Sequence, residues 1–135
     1  MKIYAVIDTN VIVSALLARN PEAATVKVFE AFFQGRLVPL VNDDIIKEYA
    51  DVLHRPKFRF PKELVNSVIM SIERSAIRPG RTFCEEEFPD PKDAVFYEVA
   101  LSKDDAYLIT GNTKHFPRTP IVVTPAEMLE ILKRS

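Results

Sequence analysis

Residues 3–10 read Ile-Tyr-Ala-Val-Ile-Asp-Thr-Asn, an unbroken apolar run that stops at an acid. A short apolar run without polar alternation is typical of a strand buried on both faces, as in the centre of a parallel sheet. Open α/β sheets bind ligands beyond the carboxyl ends of their strands. We therefore expect Asp8 to face a ligand crevice, although Asp8, Thr9 or Asn10 can equally serve as the cap of a following helix.

Helical and strand patterns alternate along the rest of the chain. Apolar spacing predicts helices over residues 11–18, 22–34, 42–55, 62–75, 93–102 and 125–133. Short apolar runs predict further strands over residues 37–41, 107–110 and 121–123, with a weaker candidate at 76–82. Such alternation indicates a parallel sheet covered on both faces. We predict the α/β class: one three-layer α/β/α domain over residues 1–135, with a central parallel sheet of about five strands.

Composition narrows the class of protein. Hydrophobic residues make up 47% and charged residues 27% of the chain, as in an ordinary globular protein, and the net charge of −1 provides no general attraction for nucleic acid. Any such binding must come from a local patch. Cys84 is the single cysteine, and the N-terminus lacks a secretion signal pattern, so we expect a cytoplasmic protein. No apolar run near the start approaches the ~20 residues that span a bilayer, so we expect no membrane segment.

Two further carboxylates join Asp8 as candidates for a site. Glu48 lies on the flank of the apolar stripe of its predicted helix, where the ordinary role is a solvated border charge. Asp93 shares the packed side of its helix with Phe96 and Ala100, where the ordinary role is an interaction with the helix dipole. Position in the sequence does not show that the three acids meet.

Converging acids would imply a metal ion. Carboxylates without a basic partner raise one another's pKa, so their convergence makes sense only around a cation. The sequence has no His or Cys cluster, and an all-oxygen site suits Mg²⁺ or Mn²⁺. Such an ion can lower the pKa of bound water and stabilise charge on a phosphoryl group, which makes phosphodiester hydrolysis the natural use.

The only concentrated basic patch is residues 54–62, His-Arg-Pro-Lys-Phe-Arg-Phe-Pro-Lys. Arg55 and Lys57 could bind the phosphates of a nucleic-acid single strand while Phe58 and Phe60 stack its bases. Alternatively, both phenylalanines pack into the core and the cations remain in solvent.

A second polar turn, Thr110-Gly111-Asn112, follows the predicted strand at 107–110 and repeats the arrangement at Asp8. Asn112 can bind a metal-bound water or a phosphate, and it can equally serve the turn itself. His115 follows in an irregular loop, where we expect a structural or surface role rather than that of a base.

Together these motifs resemble those of the PIN domain nucleases. They are Asp8-Thr9-Asn10 after a buried strand, the helical Glu48, the segment 90–96 (Asp-Pro-Lys-Asp-Ala-Val-Phe) and Thr110-Gly111-Asn112. Within that family the chain is similar to the prokaryotic toxin-like (VapC-like) group, in which a Thr-Gly-Asn step leads to a stretch like residues 114–117. The resemblance covers essentially the whole chain.

The resemblance implies roles residue by residue. Three carboxylates would bind one or two Mg²⁺ or Mn²⁺ ions and, with Asn112, form the catalytic set: Asp8, Glu48 and Asp93. Thr9 and Asn10 would support Asp8, and Thr110 would line the same site. Arg55 and Lys57 are our candidates for contact with the substrate.

One position departs from the family pattern. Many PIN domains have an acid where this chain has Asn112, and an amide removes one negative charge from the site. Asp90 and Asp105 are nearby acids that could compensate.

By family analogy we expect a metal-dependent endoribonuclease that acts on RNA. The analogy extends to a toxin restrained by an antitoxin protein, often as a dimer. The alternative is a catalytically impaired PIN-fold domain that binds RNA or protein. A phosphotransfer domain is disfavoured, because no Asp lies two residues after Asp8.

Overall fold

The computed structural model describes residues 2–135, and these form an α/β fold around a parallel sheet. The strands are β1 (Ile3–Ile7), β2 (Leu37–Pro39), β3 (Tyr107–Ile109) and β4 (Val122–Val123), in the order β2-β1-β3-β4. The helices are α1 (Thr9–Leu17), α2 (Ala24–Phe33), α3 (Asp43–Leu53), α4 (Lys62–Ser75), α5 (Ala94–Leu101) and α6 (Pro125–Arg134). Three short 3₁₀ turns lie at Pro56–Phe58, Pro91–Asp93 and Thr113–His115. The predicted fold class is confirmed.

β1 is one of the two inner strands of the sheet. It pairs in parallel with β2 on one side and β3 on the other, and Ile7 lies opposite Ile109. The backbone N–H of Asp8 donates to the carbonyl of Ile109 at 2.9 Å. The residues that follow β1 and β3 are therefore neighbours at the carboxyl edge of the sheet.

The weaker strand predicted at residues 76–82 does not form, which corrects the prediction. This segment forms only an isolated bridge between Leu40 and Ile77, and the described residues form four strands instead of about five. Pro79 cannot donate to a strand ladder, and Gly80 has a positive φ of 102°. These two residues end the pairing after a single bridge.

Helix α3 packs on the end of β1 through its apolar stripe. Ile45, Tyr49 and Leu53 are fully buried there, and the Tyr49 hydroxyl donates to the carbonyl of Ile7 at 2.5 Å. Asn42 caps the start of the helix by accepting from the backbone N–H of Ile45. This docking carries the residue before Tyr49, which is Glu48, to the edge of the sheet where β1 ends.

No helix formed by residues 2–135 is both long enough and apolar enough to cross a membrane.

Candidate active site

Asp8, Glu48 and Asp93 line one pocket of about 350 Å³. Asp8 follows β1, Glu48 comes from the middle of α3, and Asp93 closes the 3₁₀ turn that leads into α5. The three acids are far apart in sequence, and the fold brings them to the same edge of the sheet.

Asp8 is a buried carboxyl group in the lining of this pocket, 8% exposed. Burial raises its pKa from 3.8 to about 6, and the negative charges of Asp93 and Glu48 add to the rise. A hydrogen bond of 2.8 Å from the Thr110 hydroxyl opposes it. Asp8 stands at the N-cap position of α1, but its side chain makes no capping hydrogen bond. The cap interpretation therefore does not describe this side chain.

The other two acids are half-buried, and the pKa of each is also raised. Burial raises the pKa of Glu48, with Asp93 adding to the rise and Arg55 opposing it. Burial raises the pKa of Asp93, with Asp90 adding to the rise and His115 opposing it. The pocket therefore concentrates negative charge that a bound cation would relieve.

The donor atoms fit a hydrated divalent ion. Among residues 2–135, no three His, Cys, Asp or Glu side chains lie close enough together to bind one ion directly. Mg²⁺ keeps several waters and binds proteins through about one or two carboxylates, so this spacing suits Mg²⁺ or Mn²⁺ and not a fully protein-ligated ion. Thr9 lines the pocket, and its Oγ1 is a buried oxygen without a hydrogen-bond partner in the described part of the chain.

Asp8 receives a backbone hydrogen bond from Thr9 and a side-chain hydrogen bond from Thr110, and both lower its pKa. Neither Thr9 nor Asn10 makes a side-chain hydrogen bond to Asp8, and the Asn10 amide oxygen instead accepts from the Gly111 N–H at 3.2 Å. Asp8 is held by Thr110, whose hydroxyl also accepts from the backbone N–H of Asn112 at 3.0 Å. The side-chain contact to Asp8 thus comes from the turn after β3, because β3 is the sheet neighbour of β1.

His115 belongs to the pocket, which sequence reasoning missed. It lines the pocket with its Nδ1 3.5 Å from Oδ2 of Asp93, and its Nε2 lies 3.0 Å from Nδ2 of Asn112. Asn112 is not among the residues that line the pocket and reaches Asp93 only through His115. The sequence did contain a signal for this contact. His115 follows Asn112 by three residues, and a 3₁₀ turn places residues at that spacing on one side.

In the basic patch of residues 54–62, some side chains line the pocket and one packs against the core. Arg55 and Phe58 line the pocket, whereas Phe60 packs against the hydrophobic core. Lys57 does not line the pocket, and its Nζ lies 5.1 Å from the centre of the Phe58 ring.

Further charges complete the rim. Lys92 and Asp90 line the pocket, so one of the two acids considered for compensation lies at the site. Asp105 does not line it, and it has a positive φ of 61° in an exposed turn before β3.

A larger cavity, of about 540 Å³, lies between α5 and the loop before it. Its buried acid, Glu98, is 3% exposed and accepts 2.6 Å hydrogen bonds from Arg81 Nε and the Cys84 N–H. Much of the remaining wall is apolar, including Phe83 and Phe88. Because Glu98 is already occupied in holding the loop, this cavity is poorly suited to hydrolytic chemistry, and the smaller acidic pocket is the candidate site.

Comparisons of the sequence with known proteins identify a family. A family model described as the PIN domain matches residues 4–114, a range that includes all three acids of the pocket. The curated relatives include Uncharacterized protein MJ1680 of Methanocaldococcus jannaschii, which is 30% identical over 119 residues. That alignment covers 83% of this chain and 72% of the relative. No solved structure matches the chain significantly.

Proposed function

The chain belongs to the PIN domain family, whose members are generally nucleases, and we propose that it is a metal-dependent endoribonuclease that hydrolyses RNA phosphodiester bonds. The observation that carries the proposal is the meeting of Asp8, Glu48 and Asp93 in one pocket, where burial raises the pKa of each. Carboxylates placed at such a cost in electrostatic energy are typical of functional sites.

The three acids would hold one or two Mg²⁺ or Mn²⁺ ions in part through bound waters, because no three His, Cys, Asp or Glu side chains of the described residues can bind one ion directly. When bound, such an ion supplies a water of lowered pKa and stabilises negative charge on the phosphoryl group. The Thr110 hydroxyl holds Asp8 in place and favours its ionised form. Arg55 and Lys92 line the same pocket and are suited to bind the phosphate oxygens of RNA, with Lys57 beside the rim.

The test is cleavage of end-labelled single-stranded RNA by metal-stripped protein, with Mn²⁺, Mg²⁺ or EDTA added. We expect cleavage only with metal, and its loss in Asp8→Asn, which keeps the shape of the side chain and its acceptor for Thr110. Asp104→Asn is the matched control, because Asp104 is exposed in a turn and does not line the pocket. Cleavage by Asp8→Asn at the wild-type rate would contradict the proposal.

We further propose that the protein is the toxin of a toxin–antitoxin pair, of the VapC-like kind. The support is the likeness of Thr110-Gly111-Asn112 and residues 114–117 to the toxin-like group. The proposed partners are RNA, an antitoxin protein and a second copy of this chain in a dimer, and an RNA substrate would place the activity in the cytoplasm. Expression of the wild type should arrest growth, and expression of Asp8→Asn should not.

The second candidate is a catalytically impaired domain of the same fold that binds RNA or protein. Asn112 favours it, because its amide contacts His115 where many PIN domains carry an acid. The melting temperature separates the two functions. A nuclease site should be stabilised by Mn²⁺, by about 2.7 kcal/mol at a concentration of 100 times the Kd, whereas an impaired domain without a metal site should not respond.

A further inference from the structure

The acidic pocket has an apolar wall that its metal chemistry does not require. This wall consists of Phe58, Val13 and Val52, whose side chains are apolar whereas the three acids are charged. Val52 is buried, but Phe58 is only partly buried and presents ring surface to the pocket. A wall of this kind suits a ligand with one flat apolar part and one anionic part.

The chain holds the Phe58 ring in a defined place. Pro56 starts the 3₁₀ turn that carries Phe58, and its ring restricts the backbone there. The Phe58 and Phe60 rings are stacked, with centres 5.5 Å apart and planes 15° from parallel. Because Phe60 packs against the hydrophobic core, it anchors one side of the Phe58 ring. The ring can therefore meet a ligand with little loss of side-chain entropy.

Cations accompany the aromatic ring. Arg55 lines the same pocket, and the Nζ of Lys57 lies 5.1 Å from the Phe58 ring centre. Aromatic rings interleaved with cations are the pattern by which proteins bind single strands, since bases stack on the rings and phosphates pair with the cations. A duplex offers no free base face for such stacking.

We propose that Phe58 is a nucleobase platform: the base beside the reacting phosphate stacks on its ring, and the pocket therefore takes single-stranded and not duplex nucleic acid. This inference rests on the proposed function, because it places the phosphate at the three acids. It adds a binding subsite whose occupant is one unpaired base.

The chain contains no tryptophan, so Phe58→Trp introduces a single fluorophore at the platform. We would titrate this variant in EDTA, where metal-dependent cleavage is absent, with a single-stranded oligoribonucleotide, its duplex, and an abasic oligomer of equal length. Phe83→Trp is the matched control, because Phe83 is 78% exposed and lines the other cavity. We expect the single strand alone to quench the indole fluorescence of Phe58→Trp, and no oligomer to quench that of Phe83→Trp.

Binding measured by anisotropy of the labelled oligomer gives a second readout. Phe58→Ala should weaken binding of the single strand about 5- to 150-fold, which corresponds to roughly 1–3 kcal/mol of stacking. Phe58→Tyr, which keeps a ring of the same shape, should bind nearly as the wild type does. The abasic oligomer should bind Phe58→Ala and wild type alike.

The outcomes separate this inference from the nuclease proposal. Equal quenching of Phe58→Trp by the abasic oligomer or the duplex, unchanged binding by Phe58→Ala, or no binding of the single strand would overturn the platform. Metal-dependent cleavage by the wild type, together with unquenched fluorescence of Phe58→Trp, would overturn the platform and leave the nuclease. Quenching of Phe58→Trp by the single strand alone, without cleavage by the wild type in Mn²⁺, would support the platform and overturn the nuclease.

Discussion

The Thr110 hydroxyl donates a 2.8 Å hydrogen bond to Oδ2 of Asp8, which joins two buried residues 102 positions apart in the chain. The contact exists because β1 and β3 are neighbours in parallel register, so that the residues after them lie side by side. It favours the carboxylate form of Asp8, whereas burial and the two nearby acids favour the neutral form. The ionisation of the pocket is therefore a balance that single substitutions can move.

Replacing Thr110 by Val should shift the pH dependence of metal binding upward. The substitution keeps the shape of the side chain but removes the hydroxyl that lowers the pKa of Asp8. Loss of a hydrogen bond to a charged group costs roughly 1.5–3 kcal/mol, so the pH midpoint of stabilisation by Mn²⁺ should rise by about one to two units. The measurement is melting temperature against pH, with and without Mn²⁺. Thr110→Ser keeps the hydroxyl and should behave as the wild type; an unchanged midpoint in Thr110→Val would contradict the assigned role.

Replacing Asp8 by Asn should stabilise the metal-free protein near neutral pH. The folded-state pKa of about 6 exceeds the ordinary 3.8, so the folded state binds more protons within that window and stability falls as the pH rises through it. Above the window the charged form costs roughly 3 kcal/mol. Urea unfolding at about pH 7.5 should show Asp8→Asn to be the more stable, with the difference shrinking as the pH approaches about 4. A wild type at least as stable as the variant at both pH values would contradict this interpretation of Asp8.

Replacing Tyr49 by Phe should destabilise the fold at the site. The hydroxyl is fully buried and donates to the Ile7 carbonyl, directly before Asp8. Its removal should lower the free energy of unfolding by about 1–3 kcal/mol. Tyr4→Phe is the control for loss of a hydroxyl, because Tyr4 is only partly buried and uses its ring face to contact Lys103; it should change stability by less than about 0.5 kcal/mol. Equal losses in the two variants would show that the bond to Ile7 has no special weight.

His115 should occupy a single tautomer when neutral. The amide Nδ2 of Asn112 can only donate, so Nε2 of His115 must accept and the ring proton stands on Nδ1, facing Asp93. Nitrogen NMR at about pH 8.5 reports the proton position directly. Asn112→Ala removes the donor, and we expect a mixture of tautomers in that variant. A ring proton on Nε2 in the wild type would instead mean that the Asn112 amide is turned with its oxygen toward His115.

Much of the fold was accessible from the sequence because each element has its own periodicity. The apolar stripe predicted a helix over residues 62–75, and α4 occupies that range. The unbroken run before Asp8 predicted a buried strand, and β1 is a largely buried inner strand of the sheet. The candidate strand at 76–82 was wrong because Pro79 and Gly80 stop the pairing. A local apolar pattern does not show whether the backbone has the N–H donors that a strand ladder needs.

The site was accessible only in part, for a different reason. The three carboxylates could be recognised singly, two at the ends of elements and Glu48 on the flank of an apolar stripe, and motif order related them to a family. The partners of those carboxylates could not be read in this way: Asn10 contacts Gly111, and His115 lies at Asp93. These contacts depend on which strands are neighbours and on the direction of short turns. Neither property produces a periodic pattern in the sequence from which it could be predicted.

The sequence by itself determined that strands and helices alternate and where the three acids lie along them, with Asp8 after a strand, Asp93 at the start of a helix and Glu48 within a helix. Both properties are local, since they depend on side-chain spacing within about one or two turns. Only the tertiary structure decided that Asp8, Glu48 and Asp93 share a pocket, that Thr110 holds Asp8, and that Phe58 but not Phe60 faces the same space. Those outcomes follow from the pairing of β1 with β3 and the docking of α3, in which residues far apart in the chain exclude water together.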